Sequence, residues 1–229
     1  MRRARSSRSQ GTATDAAHEL RTPIAAIRAQ AQVALGAAAD EERVRALQAT
    51  LQGCDRATRL VEQLLTLSRL ESGSQPPLAT LDLVPLARQV VADAVASALA
   101  RGQDIELRAT GPCPVRGDAT LLSVLLRNLV DNAVRYSPAN ARVSLAVERQ
   151  GAAVQLRLED SGPGLSQAEM DRLGERFFRV LGGGQEGSGL GWSIVRRIAA
   201  VHGAEITVAC SMALGGLAVR LAFPAEPAA

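Results

Sequence analysis

Asn128, Asn132 and Arg135 stand four and three residues apart within the run 119–136. At about 100° per residue they fall within about 60° of one another on a helix. They lie beside an apolar face of Leu122, Leu125, Leu126, Leu129 and Ala133. Amide oxygens suit a hard cation such as Mg²⁺, and a guanidinium suits phosphate oxygens. Taken alone, the cluster reads equally well as a solvated polar face. Asp160-Ser161-Gly162-Pro163-Gly164 follows a stretch that alternates apolar and polar. A carboxylate at a strand end accepts a hydrogen bond from an exocyclic amine such as that of adenine, and glycines let the backbone approach a ligand. In isolation this segment is also an ordinary turn. Gly187-Ser188-Gly189-Leu190-Gly191 opens a helical pattern, where backbone N–H groups form an anion site. The Gly-Lys-Ser/Thr ending of a P-loop is absent. Finally, His18-Glu19-Leu20-Arg21-Thr22-Pro23 carries one of only two histidines in the chain. His18 lies about 160° from Leu20 on a helical wheel, away from the apolar stripe. Glu19 can accept a proton from an imidazole, although a lone surface histidine usually has no role.

The elements that must position these groups divide into two kinds. From Asp15 to Gly36, Leu20, Ile24, Ile27, Ala31 and Ala34 recur at steps of four and three. From Glu41 to Leu70 the same rhythm runs through Val44, Leu47, Leu51, Cys54, Thr58, Val61, Leu65 and Ser68. A stripe averaging about 3.5 residues marks helices packed at a shallow left-handed angle. The short 37–40 connection makes them an antiparallel hairpin, with Asp40 as the expected N-cap. Pro23 removes a backbone donor and favours a bend one turn beyond His18. Two helices alone leave little core, so a second copy completing a four-helix bundle is expected. The polar, proline-ended segment 71–77 reads as a linker. Beyond it, helices over 85–101, 119–136, 166–174 and 190–202 alternate with strands at 105–108, 143–147, 154–159, 205–209 and 217–222. That order predicts an α+β sandwich on an antiparallel-leaning sheet.

Composition removes several other chemistries. All 26 basic residues are arginine, so no Schiff base, Walker lysine or lysine of the eukaryotic protein kinases is available. The net charge of +3 traces to Arg2, Arg3, Arg5 and Arg8, which leave 22 arginines against 23 acids elsewhere. A basic arm on a neutral body, with aromatics at 2%, argues against direct nucleic-acid binding. Cys54, Cys113 and Cys210 form no CxxC pair, which speaks for reduced thiols and against a zinc site. No apolar run reaches the roughly 18 residues of a membrane span, and no signal peptide is visible.

The four chemical segments resemble, in order, the boxes of bacterial two-component sensor histidine kinases. His18 to Pro23 is similar to the H box, Asn128 to Tyr136 to the N box, and Asp160 to Gly164 to the first glycine box. Glu175-Arg-Phe177-Phe178-Arg179 resembles the F box and Gly187 to Gly191 the second glycine box. The likeness covers about residues 14–222 and is nearest the QseC-like sensors that partner OmpR-like regulators. It implies an all-α dimerisation hairpin, a four-helix bundle as a homodimer, followed by an α+β Bergerat-type (GHKL) ATP-binding sandwich, as in gyrase and MutL relatives. The implied division is a basic juxtamembrane arm or cloning remnant (1–13), a dimerisation and phosphotransfer domain (14–70), a linker (71–80) and a catalytic domain (81–229).

The resemblance also assigns roles. ATP and Mg²⁺ are the implied cofactors, with Asn132 and Asn128 as metal ligands. Arg135 would contact phosphate, Tyr136 would flank adenine and Asp160 would bind its amine. Gly162, Gly164, Gly187, Ser188, Gly189, Leu190 and Gly191 would shape the pocket, with a mobile lid over about 179–188 that begins at Arg179. His18 would be the phosphoacceptor, Glu19 its proton acceptor, and Thr22 the residue that positions water for dephosphorylating a cognate response regulator. A soluble, cytoplasmic portion of a membrane-anchored inner-membrane protein is expected. Two features depart from the family. Trp192 stands where a small or aliphatic residue is usual, and Thr12 where an aromatic usually precedes the H box. The arginine arm and Thr12 together point to a boundary or truncation at 1–13. Among rivals, an ATPase without phosphotransfer would lack His18 on a dimerising hairpin, and a non-enzymatic scaffold would lack at least one box.

Overall fold

The computed structural model describes residues 3–71, 76–175, 178 and 189–225, with side chains described for these except at 3–19 and 71. The chain divides into two compact units, Met1–Arg69 and Leu70–Ala229.

The first unit is built from α1 (Arg3–Gly36) and α2 (Asp40–Glu71). Helix α1 begins earlier than the apolar stripe predicts and is unbroken at Pro23. Asp40 is not the N-cap expected: it is already helical. Its carboxylate instead pairs with Arg43 one turn on, at 2.8 Å, while Ala39 supplies the carbonyl that receives the Arg43 N–H. Asp40, Glu41 and Glu42 in the first turn and Arg69 in the last complement the helix dipole.

Helix α2 carries two apolar seams, not one. Ala46, Gly53, Leu60 and Leu67 are buried, with Thr50, Ala57 and Leu64 partly so. The stripe read from the sequence is offset from this one and faces solvent within the single chain. Val44, Leu47, Leu51, Val61 and Leu65 are 42–66% exposed. A Cβ on Gly53 would lie 2.6 Å from Ile27 Cγ1, so the hairpin is close-packed where those two residues meet.

The second unit is an α+β sandwich. Its strands are β1 (Ala79–Asp82), β2 (Asp104–Ala109), β3 (Pro114–Gly117), β4 (Arg142–Gln150), β5 (Ala153–Asp160), β6 (Glu205–Cys210) and β7 (Leu217–Pro224). Its helices are α3 (Leu83–Leu99), α4 (Ala119–Tyr136), α5 (Gln167–Arg172) and α6 (Gly191–Val201). Five strands form one sheet in the order β2-β4-β5-β7-β6. β2 pairs parallel with β4, and the other three pairings are antiparallel. β1 and β3 form a separate two-stranded sheet, which the sequence reading did not contain.

Side-chain alternation puts Val143, Leu145, Val147, Val154, Leu156, Leu158, Val219, Leu221 and Phe223 on the buried face of the sheet. Helix α4 contacts both α3 and α6 above it. Leu122, Leu125, Leu126 and Leu129 of α4 are at most 1% exposed. Caps fix the helix starts. Asp82 accepts from Val84 N–H at 3.1 Å and from Cys113 N–H at 2.9 Å, which ties the head of α3 to the segment that leads into β3. Asp118 caps α4 by accepting from Leu121 N–H at 2.9 Å. Ser166 and Glu169 form a reciprocal capping box on α5. Leu126→Ala should therefore destabilise the second unit by about 2–5 kcal/mol, read as a lowered melting temperature by circular dichroism.

Candidate functional site

The hydrophobic face of α4 sets the helix's rotation and turns its polar edge toward the start of α6. Asn128 donates through Nδ2 to the Val124 carbonyl at 2.8 Å. That bond leaves its Oδ1 facing Gly191, where a Cβ would lie only 2.9 Å away. The same Cβ would be 3.6 Å from Asn132 Nδ2, an amide nitrogen that is buried without a hydrogen-bond partner. A buried orphan of this kind is costly unless a ligand or water satisfies it. Gly189, with φ of 66°, turns the chain into Leu190. Leu190 is fully buried and its carbonyl receives the Ile194 N–H at 3.0 Å and the Ser193 hydroxyl at 2.7 Å. The two asparagines and the glycine-led start of α6 thus form one cradle.

The residues present fit a nucleotide-bound Mg²⁺. Among the described residues no group of three or more His, Cys, Asp or Glu could hold a metal. A cation there would take an amide oxygen from Asn128 or Asn132 and complete its shell with phosphate oxygens and water, the usual preference of Mg²⁺. The Asn132 amide can present oxygen or nitrogen to the cradle.

Arg135 and Tyr136 lie at the C-terminal end of α4, with Tyr136 45% exposed. Two residues after α3 hold this end, and no motif in the sequence announces them. Arg101 donates to the carbonyls of Arg135 and Ser137 at 3.1 and 3.2 Å. Gln103, 2% exposed, donates to the carbonyls of Val134, Ser137 and Pro138 at 3.0, 3.0 and 2.9 Å.

Asp160 ends β5 with its carboxylate fastened at one oxygen. Oδ1 accepts from Gly162 N–H at 2.8 Å and from Leu217 N–H at 3.2 Å. The Asp160 carbonyl accepts from Gly216 N–H at 3.0 Å. The second carboxylate oxygen is left for an incoming donor such as a purine amine. Burial pushes the carboxyl above the ordinary aspartate range, and the two backbone N–H bonds oppose the shift. Gly162 belongs to this corner, since a Cβ there would lie 2.8 Å from Asp160 Oδ1 and 3.3 Å from the buried Ser137 hydroxyl. Gly164 follows with φ of 69°.

Gly216 completes this corner, and the sequence reading did not single it out. A Cβ there would overlap the Asp160 carboxylate and lie 2.5 Å from both the Asp160 carbonyl oxygen and Gly162 N. In the sequence, Gly215-Gly216 between two strands is indistinguishable from any hairpin turn. Of the other expected residues, Arg179, Gly187 and Ser188 lie outside the described residues. His18 and Glu19 lie on α1 with undescribed side chains, and Thr22 is exposed one turn further along.

Two outcomes follow from the Asp160 corner. Gly216→Ala should weaken adenine-nucleotide binding at least tenfold, measured by calorimetry, because backbone and not a movable side chain stands in the way. An amine donor needs the ionised carboxylate. Affinity should therefore fall as pH drops through the raised pKa of Asp160, beginning less acidic than for an exposed aspartate; an ADP titration across the acidic range checks this.

Both units resemble known protein families. Residues 9–73 match the His Kinase A (phospho-acceptor) domain. Residues 117–227 match the family described as histidine kinase-, DNA gyrase B- and HSP90-like ATPases. The sensor protein QseC of Escherichia coli K12 is 43% identical over 196 residues, which is 84% of this chain and 43% of that protein. The chain thus spans less than half the length of this curated relative. The solved cytoplasmic segment of histidine kinase QseC is 32% identical, with 75% of this chain and 95% of that one covered at a TM-score of 0.52. The Acinetobacter baumannii histidine kinase AdeS gives a TM-score of 0.73 at 25% identity, covering 92% of this chain and 98% of that one. With the phospho-acceptor helices ahead of the nucleotide cradle and this degree of identity, the chain belongs to the QseC-like sensor histidine kinases.

Proposed function

We propose that this chain is the catalytic core of a sensor histidine kinase that moves the γ-phosphoryl of ATP to His18 and then to an aspartate of an OmpR-like response regulator. The observation that carries the reading is the cradle in which Asn128, Asn132 and Gly191 converge, together with the anchored carboxylate of Asp160 at the end of β5. Such a cradle suits metal-bound phosphates, and such a carboxylate suits an exocyclic amine.

In the proposed mechanism, Asp160 accepts the adenine amine and Tyr136 lies along the base. Arg135 pairs with phosphate oxygens, and the amides of the Gly187–Gly191 segment hold the phosphate chain. Gly162 and Gly164 keep the adenine end open, Ser188 and Leu190 shape the loop, and Arg179 begins the segment that covers the nucleotide. Asn132 and Asn128 would hold Mg²⁺, which would supply charge neutralisation to the phosphates. Neutral His18 attacks the γ-phosphorus in line through one ring nitrogen. A nitrogen–phosphorus bond forms, the bond to the ADP oxygen breaks, and Glu19 takes the proton from the other ring nitrogen. The phosphoramidate then passes its phosphoryl group to the regulator's carboxylate. Thr22, one helical turn from His18, positions water for the reverse service, hydrolysis of the phosphorylated regulator.

The exposed second seam of α2 supports a homodimer. Val44, Leu47, Leu51, Val61 and Leu65 are apolar, repeat at heptad spacing and lack cover within one chain. Among the described residues no helix is long and apolar enough to cross a membrane. In this reading a membrane anchor belongs to the parent polypeptide, with this chain on its cytoplasmic side.

Incubation with γ-labelled ATP and Mg²⁺ tests the phosphoacceptor. Acid-labile, base-stable label is expected on the parent and none on His18→Gln; label persisting on that variant excludes His18. Thr22→Ala should retain autophosphorylation while losing dephosphorylation of the regulator. Equal loss of both activities would contradict its proposed part.

A further inference from the structure

His202 stands at the C-cap of α6, 6% exposed, and has no part in the mechanism above. Both ring nitrogens are engaged. Nδ1 lies 2.8 Å from the Ile198 carbonyl, which can only accept, so this nitrogen carries the hydrogen. Nε2 lies 3.1 Å from the Asp118 N–H, which can only donate, so this nitrogen is bare. The neutral Nδ1–H tautomer satisfies both bonds at once.

Asp118 is the N-cap of α4, and the rest of it is committed to that helix. Its carboxylate receives the Leu121 N–H and its carbonyl receives the Leu122 N–H, each at 2.9 Å. The ring is held closely against this corner. A Cβ on Gly117 would lie 2.5 Å from Leu122 Cδ1, 2.9 Å from His202 Cδ2 and 3.2 Å from His202 Nε2.

Helices α4 and α6 therefore meet at two stations. At one, Gly191 stands against Asn128 and Asn132; at the other, His202 grips Asp118. Asp118 to Asn128 is about 15 Å of helix and Gly191 to His202 about 16 Å, at the usual 1.5 Å per residue. The two helices run in opposite directions with matched distances between stations. A shift of α6 along α4 is blocked at the far end by a directional bond between a ring nitrogen and a backbone N–H. Packing of Ile194, Val195 and Ile198 supplies contact but fixes axial register less sharply.

We infer that His202 is a positioning residue for the nucleotide. It sets the register of α6 on α4, and so the placement of the Gly189–Gly191 amides opposite Asn128 and Asn132. This rests on the nucleotide reading of the cradle. The ligand part it governs is the metal-bound triphosphate and not the base, because Asp160 is held separately by Gly162, Gly216 and Leu217.

The test compares Mg-ATP with adenosine, using the fluorescence of Trp192, the only tryptophan, as the signal. His202→Phe keeps a ring of similar size and removes both bonds. His202→Gln restores an acceptor opposite Asp118. In the Phe variant Mg-ATP affinity should fall about tenfold relative to adenosine affinity, and in the Gln variant the ratio should return to within about threefold of the parent. A parent-like ratio in the Phe variant overturns the proposal. So does equal weakening of both ligands, the pattern of a domain merely loosened. Should the Phe variant lose its circular dichroism signal, His202→Asn has no acceptor within reach of Asp118 and is held to the same outcomes. Failure of the parent itself to bind Mg-ATP would instead refute the nucleotide reading.

Discussion

Burial of Leu122, Leu125, Leu126 and Leu129 fixes how α4 is rotated about its axis, and the polar groups that α4 presents at the site take their direction from that rotation. The four leucines pack against the sheet and neighbouring helices with almost no exposure. Turning α4 by one residue's worth, about 100°, would in one direction move Asn128 and Asn132 into the core, and in the other bring leucines into the cradle. The apolar transfer energy of four leucines, each about 1.5–3 kcal/mol, opposes such a slip. Orientation of the polar edge is thus enforced by side chains that touch no ligand.

The same leucines explain why α4 was readable from sequence to its last residue. Its period is long and strong, and Asp118 and Ser137-Pro138 mark its ends. β4, β5 and β7 were readable because each has one buried and one solvated face. The two-stranded β1–β3 sheet was not, since four residues per strand carry too little alternation. The parallel pairing of β2 with β4 was also invisible, because it depends on how the chain returns through α4 and not on the strands' own pattern. At the site, Asn128, Asn132, Asp160 and Gly191 declared themselves through residue type and spacing. Gly216, Arg101, Gln103 and His202 did not. They act through a missing Cβ, through carbonyl caps or across a long separation in sequence, and none of these leaves a local signature.

Helix α2 shows how a heptad rhythm can be read correctly and placed wrongly. Both seams have the same period, so the sequence cannot say which one faces α1. Small residues decide it: Ala46 and Gly53 let α1 approach. The larger Leu47, Leu51 and Leu65 are left outward. The seam with the bulkier side chains is the one available for covering a second apolar surface.

The capping of α4 by Arg101 and Gln103 has an electrostatic meaning. A helix C-terminus is a concentration of negative partial charge, and α4 ends at Arg135 and Tyr136. Left bare, those carbonyls would repel the polyphosphate proposed to approach Arg135. One guanidinium and one amide spread over the carbonyls of 134, 135, 137 and 138 instead. They cover a repulsive pole with donors, so that the helix end which carries Arg135 would offer less repulsion to the polyphosphate proposed to bind there.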